Sequence, residues 1–138
     1  ARAFGNPCPK VAALSSVEVV NPSIPGSEDA RELKVMAERG LLGKLVLDGP
    51  LALDNAVSPE AAAHKGISSE VAGYADVLLA PDLNSGNMMA KAAVYFARAK
   101  AAGVVTGAQC PIVLTSRADS DETKFNSIAV AAFLGSRG

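Results

Sequence analysis

Three polar turns follow apolar runs in this sequence, at residues 48–54 (DGPLALD), 81–87 (PDLNSGN) and 115–120 (TSRADS). In open α/β sheets, ligands bind beyond the carboxyl ends of the strands, where such turns lie. Asp, Asn, Gly and Pro are also ordinary turn residues, so each turn alone is compatible with a purely structural role. In the first turn, Asp48 and Asp54 are equally suited to binding a ligand and to holding loop amides. Taken together, the three turns predict a ligand site at the strand ends.

The third turn carries the clearest chemistry. Arg117 offers a planar fork of donors that matches phosphate oxygens and stays charged at any cellular pH. Ser116 adds a hydroxyl, and a helix beginning near Asp121 would direct backbone N–H groups toward the same place. The competing interpretation is a surface ion pair between Arg117 and Asp119 or Asp121. We expect Arg117 to bind a phosphate group.

The second turn is punctuated by glycine and opens a helix. Gly86 permits close approach of a ligand, and Asn87 supplies both a donor and an acceptor. Asn84 or Ser85 is also suited to capping the helix, a role that does not exclude contact with a ligand. The turn therefore predicts contact with a ligand, and helix capping alone is the alternative.

Strands and helices alternate along the chain, and this alternation must position the turns. Most predicted strands are apolar on both faces, which is typical of a parallel sheet covered by helices. We predict an α/β fold, a three-layer α/β/α arrangement with a mostly parallel sheet, in a single domain over residues 1–138. The predicted strands are 10–20, 44–47, 76–80, 103–106 and 111–114; helices are predicted after Ser27, after Ser58, from Ser85 and after Ser120.

Composition excludes several function classes. The formal net charge of −1 gives no broad field that would favour nucleic acid or an anionic membrane. The apolar runs are far shorter than the ~20 residues of a membrane span. Cys8, Cys110 and His64 are too few and too dispersed for a recognisable metal site. We expect a cytoplasmic protein that binds no metal, no nucleic acid and no membrane.

In this order the three turns resemble those of the phosphate acetyltransferase and phosphate butyryltransferase family, which have the patterns D-G-P-L-x-x-D, P-D-L-x-x-G-N and a late S-R pair. The resemblance extends from Lys10 to Leu134, and residues 114–120 (LTSRADS) are closer to the butyryl branch. It implies transfer of an acyl group between coenzyme A and inorganic phosphate, with acyl-CoA and phosphate as substrates. It implies no metal or redox cofactor, and coenzyme A enters only as a substrate.

The resemblance, with the chemistry above, assigns the site residues. In the direction of acyl-CoA synthesis, the thiol of coenzyme A attacks the acyl-phosphate carbonyl, so a base must accept the thiol proton. Arg117 and Ser116 would stabilise the developing oxyanion. The predicted catalytic residues are Ser116, Arg117 and Asp119, and the predicted substrate-binding residues are Asp48, Asp54, Asp82, Asn84, Gly86, Asn87 and Ser120.

The sequence departs from the family at the expected base. Acetyl-type enzymes have an aspartate seven residues after the serine of the S-R pair, and this chain has Thr123 there. The base would then be Asp119, Asp121 or Glu122. Asp119 is preferred because it precedes the helix, whereas the other two carboxylates are explained by the helix dipole.

A second departure concerns length, since family members are about twice as long and have two domains. The resemblance implies that this chain is the carboxyl-terminal half of such an enzyme, incomplete without the amino-terminal half, and a homodimer. One alternative is a non-catalytic half that binds coenzyme A or phosphate. A less favoured alternative is a dehydrogenase of the isocitrate/isopropylmalate type, although no G-x-G-x-x-G motif follows a strand.

Overall fold

The computed structural model describes residues 1–136, which form two compact units. The first unit ends at Met88 and the second begins at Met89, within one helix. The first contains a 3₁₀ helix (Arg2–Phe4), strands β1 (Lys10–Leu14), β2 (Val46–Leu51) and β3 (Val77–Leu79), helices α1 (Pro25–Glu38), α2 (Leu53–Val57) and α3 (Pro59–His64), and the start of α4 (Leu83–Tyr95). The second contains the rest of α4, strands β4 (Val104–Val105) and β5 (Ile112–Val113), and α5 (Asp121–Gly135).

The sheet of the first unit is parallel. Its strand order is β2-β1-β3, and Val11 in β1 lies opposite both Leu47 and Val77. In the second unit β4 and β5 pair antiparallel with each other, with Val104 opposite Val113. The predicted α/β class with a mostly parallel sheet is confirmed. The prediction of one domain over residues 1–138 stays a prediction, and its last two residues lie outside the described part.

Packing of α1 on the sheet builds the core of the first unit. Val11, Ala13 and Leu47 are buried on the sheet, and Ala30 is buried beneath them on α1. Leu33 and Ala37 of α1 extend the same contact at helical spacing. The apolar stripe of α1 therefore fixes the helix against β1 and β2.

Strand β2 is longer than predicted and contains part of the first turn. The predicted strand ends at residue 47, but β2 runs through Asp48, Gly49 and Pro50 to Leu51. Ala12 lies opposite Asp48 and Leu14 opposite Leu51, so β2 has one extra residue in that interval. Such a bulge accommodates Pro50, which has no N–H for the ladder. The prediction that Asp48 lies beyond a strand end is therefore wrong.

The helix starts are partly as predicted. Ser58 caps α3 by accepting a hydrogen bond from the Ala61 N–H (3.2 Å), and Ser120 caps α5 in the same way. Helix α1 begins at Pro25 rather than after Ser27, since proline suits the first helical position. The Ser27 hydroxyl instead donates to the Ile24 carbonyl and holds the preceding loop.

Strand β1 ends at Leu14 rather than extending to residue 20. The β-branched residues 17–20 belong to the loop that leads to α1. Among residues 1–136, no helix is both long and apolar enough to cross a bilayer.

Candidate functional site

The parallel strands β1, β2 and β3 bring their carboxyl ends to one edge of the sheet. The loop after β1, helix α2 after β2 and helix α4 after β3 begin at this edge. Asp54 lies in the first turn of α2, and Asp82 immediately precedes α4. Parallel pairing thus brings two of the three predicted turns to the same edge, as the ligand-site prediction requires.

Asp48 lies within β2 and makes a structural ion pair. Its Oδ1 accepts hydrogen bonds from Lys34 Nζ at 2.7 Å and from the Gly49 N–H at 2.9 Å. Burial raises the pKa of Asp48, but hydrogen bonds from Lys34, Ser69 and Gly49 outweigh burial and hold the pKa below its ordinary value. Of the two roles open from the sequence, the geometry supports the structural one for Asp48.

A cavity of about 330 Å³ lies beside this ion pair. Lys34, Glu38 and Asp48 line it together with serines 68 and 69. Its other walls come from the second half of α1 and the first half of β2, away from the carboxyl edge of the sheet. Asp48 belongs to the first predicted turn, whereas the other lining residues lie outside the three turns.

Asp54 belongs to a charged network at the carboxyl edge. Its Oδ2 lies 3.0 Å from Lys65 Nζ, and Lys65 Nζ also lies 2.6 Å from Glu18 Oε1. The hydrogen bond from Lys65, followed by that from the Asn55 N–H, lowers the pKa of the Asp54 carboxyl. Asp54 is exposed, and its partner Lys65 has its own pKa raised by Glu18 and then by Asp54.

Asp82 caps α4. Its Oδ1 accepts from the Ser85 N–H at 2.9 Å, and its Oδ2 accepts from the Ser85 hydroxyl at 2.8 Å. The hydrogen bond from the Ser85 N–H lowers the pKa of Asp82. The capping residue is therefore Asp82, and the expectation that Asn84 or Ser85 caps the helix is wrong because α4 starts earlier, at Leu83.

The other residues of the second turn lie on the first turns of α4. Asn84 and Asn87 are exposed, and Gly86 is half-buried. A Cβ atom at Gly86 would lie 3.3 Å from Ala80 Cβ, so the position tolerates only a small side chain. The amides of Asn84 and Asn87 are available to solvent.

In the second unit, Ser116 and Asp119 close a tight turn around Arg117. Asp119 Oδ2 accepts from the Ser116 N–H at 2.6 Å, and the Asp119 N–H donates to the Ser116 carbonyl at 3.1 Å. The Ser116 hydroxyl accepts from the Ala118 N–H at 3.4 Å. The two residues bond reciprocally, so the turn holds its form without using the Arg117 side chain.

Arg117 lies exposed on this turn. Within residues 1–136 it makes no ion pair with Asp119 or Asp121, the competing role considered from the sequence. Asp121 instead lies 3.4 Å from Lys124, and Glu122 lies 2.7 Å from Lys100. The guanidinium is left available for an anion.

Ser120 lies at the start of α5 and caps it. Its hydroxyl accepts from the Thr123 N–H at 3.2 Å and lies 3.1 Å from the Thr123 hydroxyl. Because Ser116, Arg117, Asp119 and Ser120 are consecutive or nearly so, the second unit brings its predicted site residues together at the beginning of α5.

Sequence reasoning missed Lys34, Glu18, Asn55 and Lys65. Lys34 contacts Asp48, and Asn55 and Lys65 contact Glu18, across 14 to 47 residues of sequence. Lys65 also contacts Asp54, 11 residues away. Local spacing gives no signal for contacts of this kind. Of these four, only Lys65, which follows the helix capped by Ser58 and precedes Gly66, lies near a turn signal.

Comparison with known proteins gives a consistent result. A family model described as phosphate acetyl/butaryl transferase matches residues 1–132. A phosphate butyryltransferase of Clostridium acetobutylicum is 52% identical over 134 residues, 97% of this chain and 44% of that protein. A phosphate acetyltransferase of Thermotoga maritima is 51% identical over 132 residues, 96% of this chain and 45% of that protein. The chain thus spans less than half the length of these relatives.

Solved structures are similar as well. A branched-chain phosphotransacylase from Enterococcus faecalis V583 superposes with a TM-score of 0.85 at 40% identity, over 96% of this chain and 47% of that one. A phosphotransacetylase from Streptococcus pyogenes gives a TM-score of 0.80 at 31% identity, over 99% of this chain and 41% of that one.

Proposed function

This chain belongs to the phosphate acetyl/butyryl transferase family, and we propose that it takes part in moving an acyl group between coenzyme A and inorganic phosphate. The substrates would be acyl-CoA and phosphate, and the products acyl phosphate and free coenzyme A. The observation that carries the proposal is the turn at residues 116–119, which presents Arg117 just before a helix, with no ion pair among residues 1–136.

Arg117 and the first turn of α5 together form an anion site. The guanidinium is a bidentate donor that matches phosphate geometry. The first backbone N–H groups of α5 have no partner within the helix, and the helix dipole adds partial positive charge there. This combination suits either the phosphate substrate or the phosphoryl part of an acyl phosphate.

The chemistry follows from those donors. In the direction of acyl-CoA synthesis, the thiolate sulfur forms a bond to the acyl carbon while the bond from that carbon to the phosphate oxygen breaks. Negative charge develops on the carbonyl oxygen, where Arg117 and the Ser116 hydroxyl would stabilise it. The leaving phosphate keeps the electron pair, and the thiol proton passes to a base.

Asp119 is the base we propose. Its Oδ2 is engaged by the Ser116 N–H, and the opposite oxygen of the carboxylate is the one left for a proton. Glu122 and Asp121 have lysine partners, which makes them less suitable. Asp119 therefore combines a fixed orientation with closeness in sequence to Arg117.

We propose in addition that the chain supplies one part of the active cleft and that the rest comes from a segment it does not contain. The coverage of 44% of the C. acetobutylicum relative supports this proposal. A second candidate function follows from the same observation: the chain binds coenzyme A or phosphate without turnover until that segment is present. The homodimer, the cytoplasmic location and the lack of a cofactor other than coenzyme A as substrate stay predictions from the sequence.

The test is a thiol-release assay with phosphate and a series of acyl-CoA substrates from acetyl to valeryl. It is run on the chain alone and on the complemented protein, meaning the full chain joined to the part of the C. acetobutylicum phosphate butyryltransferase that it does not span. Turnover by the complemented protein is expected. Turnover by the complemented protein, without turnover by the isolated chain, would favour the second candidate for the isolated chain. No turnover by a folded complemented protein would overturn the acyltransferase proposal.

A further inference from the structure

Lys65 joins three segments at the carboxyl edge of the sheet. It follows α3, and its Nζ lies 2.6 Å from Glu18 in the loop after β1 and 3.0 Å from Asp54 at the start of α2. Its side chain is only 40% exposed, although the residue lies on the surface. One ammonium group thus bridges the two segments that follow β1 and β2. We call Glu18, Asp54, Asn55 and Lys65 the edge network.

The side-chain amide of Asn55 forms the buried part of this network. Asn55 is fully buried, and its Nδ2 donates to Glu18 Oε1 at 2.8 Å, the same oxygen that Lys65 contacts. The backbone carbonyl of Asn55 accepts from the Gly73 N–H at 2.7 Å, which holds the residue in place. Glu18 is therefore fixed from the interior by Asn55 and from the surface by Lys65.

The charges persist over a wide pH range. The hydrogen bond from Lys65 lowers the pKa of Glu18, despite the opposing effect of burial. Glu18 and then Asp54 raise the pKa of Lys65. All three groups are charged at neutral pH, and the network carries a net charge of −1.

A groove of about 470 Å³ runs along the loop that Glu18 anchors. Residues 17–22 line it, and they include three valines, of which Val19 is 76% exposed. The groove is shallow and open, and a single loop forms its lining. Apolar walls beside a net negative network favour an uncharged, apolar ligand segment and disfavour a phosphate dianion.

We propose that Lys65 is a positioning residue for the acyl-CoA substrate: by holding Glu18 and Asp54 it fixes the groove at residues 17–22, which contacts the acyl and adjacent uncharged part of that substrate. The inference rests on the proposed function. It assigns Lys65 no contact with the reacting atoms.

The kinetic test uses the complemented protein with Lys65→Met, which keeps the length of the side chain and removes its charge. The KM for butyryl-CoA is expected to rise about 10-fold, with the KM for phosphate unchanged and kcat within about 2-fold, because only substrate positioning is lost. Lys65→Arg is expected to restore the KM, since arginine can bridge the same carboxylates. Arg31→Met is the matched control, because it breaks an exposed pair with Glu32 in the same unit.

The second readout is amide hydrogen exchange over residues 15–24 of the same proteins. We expect faster exchange in these residues in Lys65→Met. If Lys65→Met does not fold, the same result is expected in Glu18→Gln. Turnover with an unchanged KM for butyryl-CoA in the variant would overturn the positioning role alone. Absence of turnover by the folded, unaltered complemented protein would overturn the proposed function and this inference with it.

Discussion

Lys34 Nζ lies 2.7 Å from Asp48 Oδ1, so an ion pair joins the second half of α1 to the middle of β2. The Asp48 side chain is only 18% exposed, and it also accepts the N–H of Gly49. The pair fixes the strand segment that leads into α2, and through α2 it supports Asp54 at the carboxyl edge.

This ion pair predicts a defined pH dependence of stability. The pKa of Asp48 is lowered from its ordinary 3.8, so its contribution is present above pH 3.8 and is lost as the pH falls through the lower folded pKa. The hydrogen bond to Asp48 raises the pKa of Lys34 from 10.5, so its contribution is present below pH 10.5 and is lost above the folded pKa. Asp48→Asn is expected to destabilise the chain by about 1 kcal/mol at pH 7, a value reduced by solvent screening.

Urea unfolding at a series of pH values measures this effect, and the deficit of Asp48→Asn should shrink as the pH falls below 3.8. Glu32→Gln is the control, because in the described part of the chain Glu32 pairs only with the exposed Arg31. This variant should unfold like the unaltered chain. A deficit that stays constant down to the lowest pH would show that the charge of Asp48 is not the cause.

Gly49→Ala is expected to destabilise the first unit by about 1–3 kcal/mol. A Cβ at this position would lie 2.7 Å from the Ala13 carbonyl oxygen and 2.8 Å from Ala13 Cβ, so β1 and β2 would have to separate. Gly86→Ala is the matched control, since its Cβ would lie 3.3 Å from Ala80 Cβ, a milder crowding than at Gly49, and alanine favours the helix. Equal midpoints in guanidinium unfolding for the two variants would contradict the close packing of Gly49.

Arg117→Ala in the complemented protein is expected to lower kcat/KM by about 100-fold, because the guanidinium stabilises charge that develops in the transition state. Its fold should be unchanged, since the turn is held by Ser116 and Asp119. Arg117→Lys should recover only part of the rate, because lysine lacks the bidentate fork. Arg31→Ala, which removes another exposed arginine, should retain the full rate; a near-normal rate for Arg117→Ala would remove this residue from the mechanism.

The pH–rate profile of kcat/KM tests the base. Asp119→Asn keeps an oxygen that can accept the Ser116 N–H, so the turn should survive while the acid limb of the profile disappears. Glu122→Gln breaks an exposed pair with Lys100 and should leave the profile as it was. Loss of the acid limb in Glu122→Gln instead would move the base to that residue, and unchanged profiles in both would exclude a base in this turn.

The sequence by itself determined the fold class, the caps at Ser58 and Ser120, and the grouping of Ser116, Arg117 and Asp119. These features depend on residues within a few positions of one another, where side-chain capping and turn chemistry act locally. The family resemblance could be recognised from the sequence for the same reason, because each of its three motifs is a short run of neighbouring residues.

Only the tertiary structure decided the partners of the acidic residues and the course of β2. Asp48 meets Lys34 and Glu18 meets Lys65 because parallel strands and the α1 crossover bring distant segments to one place. The extra residue of β2 opposite β1 likewise depends on pairing between strands. Contacts across 14 to 47 residues leave no periodic or local pattern in the chain, so their geometry becomes visible only when the sheet is assembled.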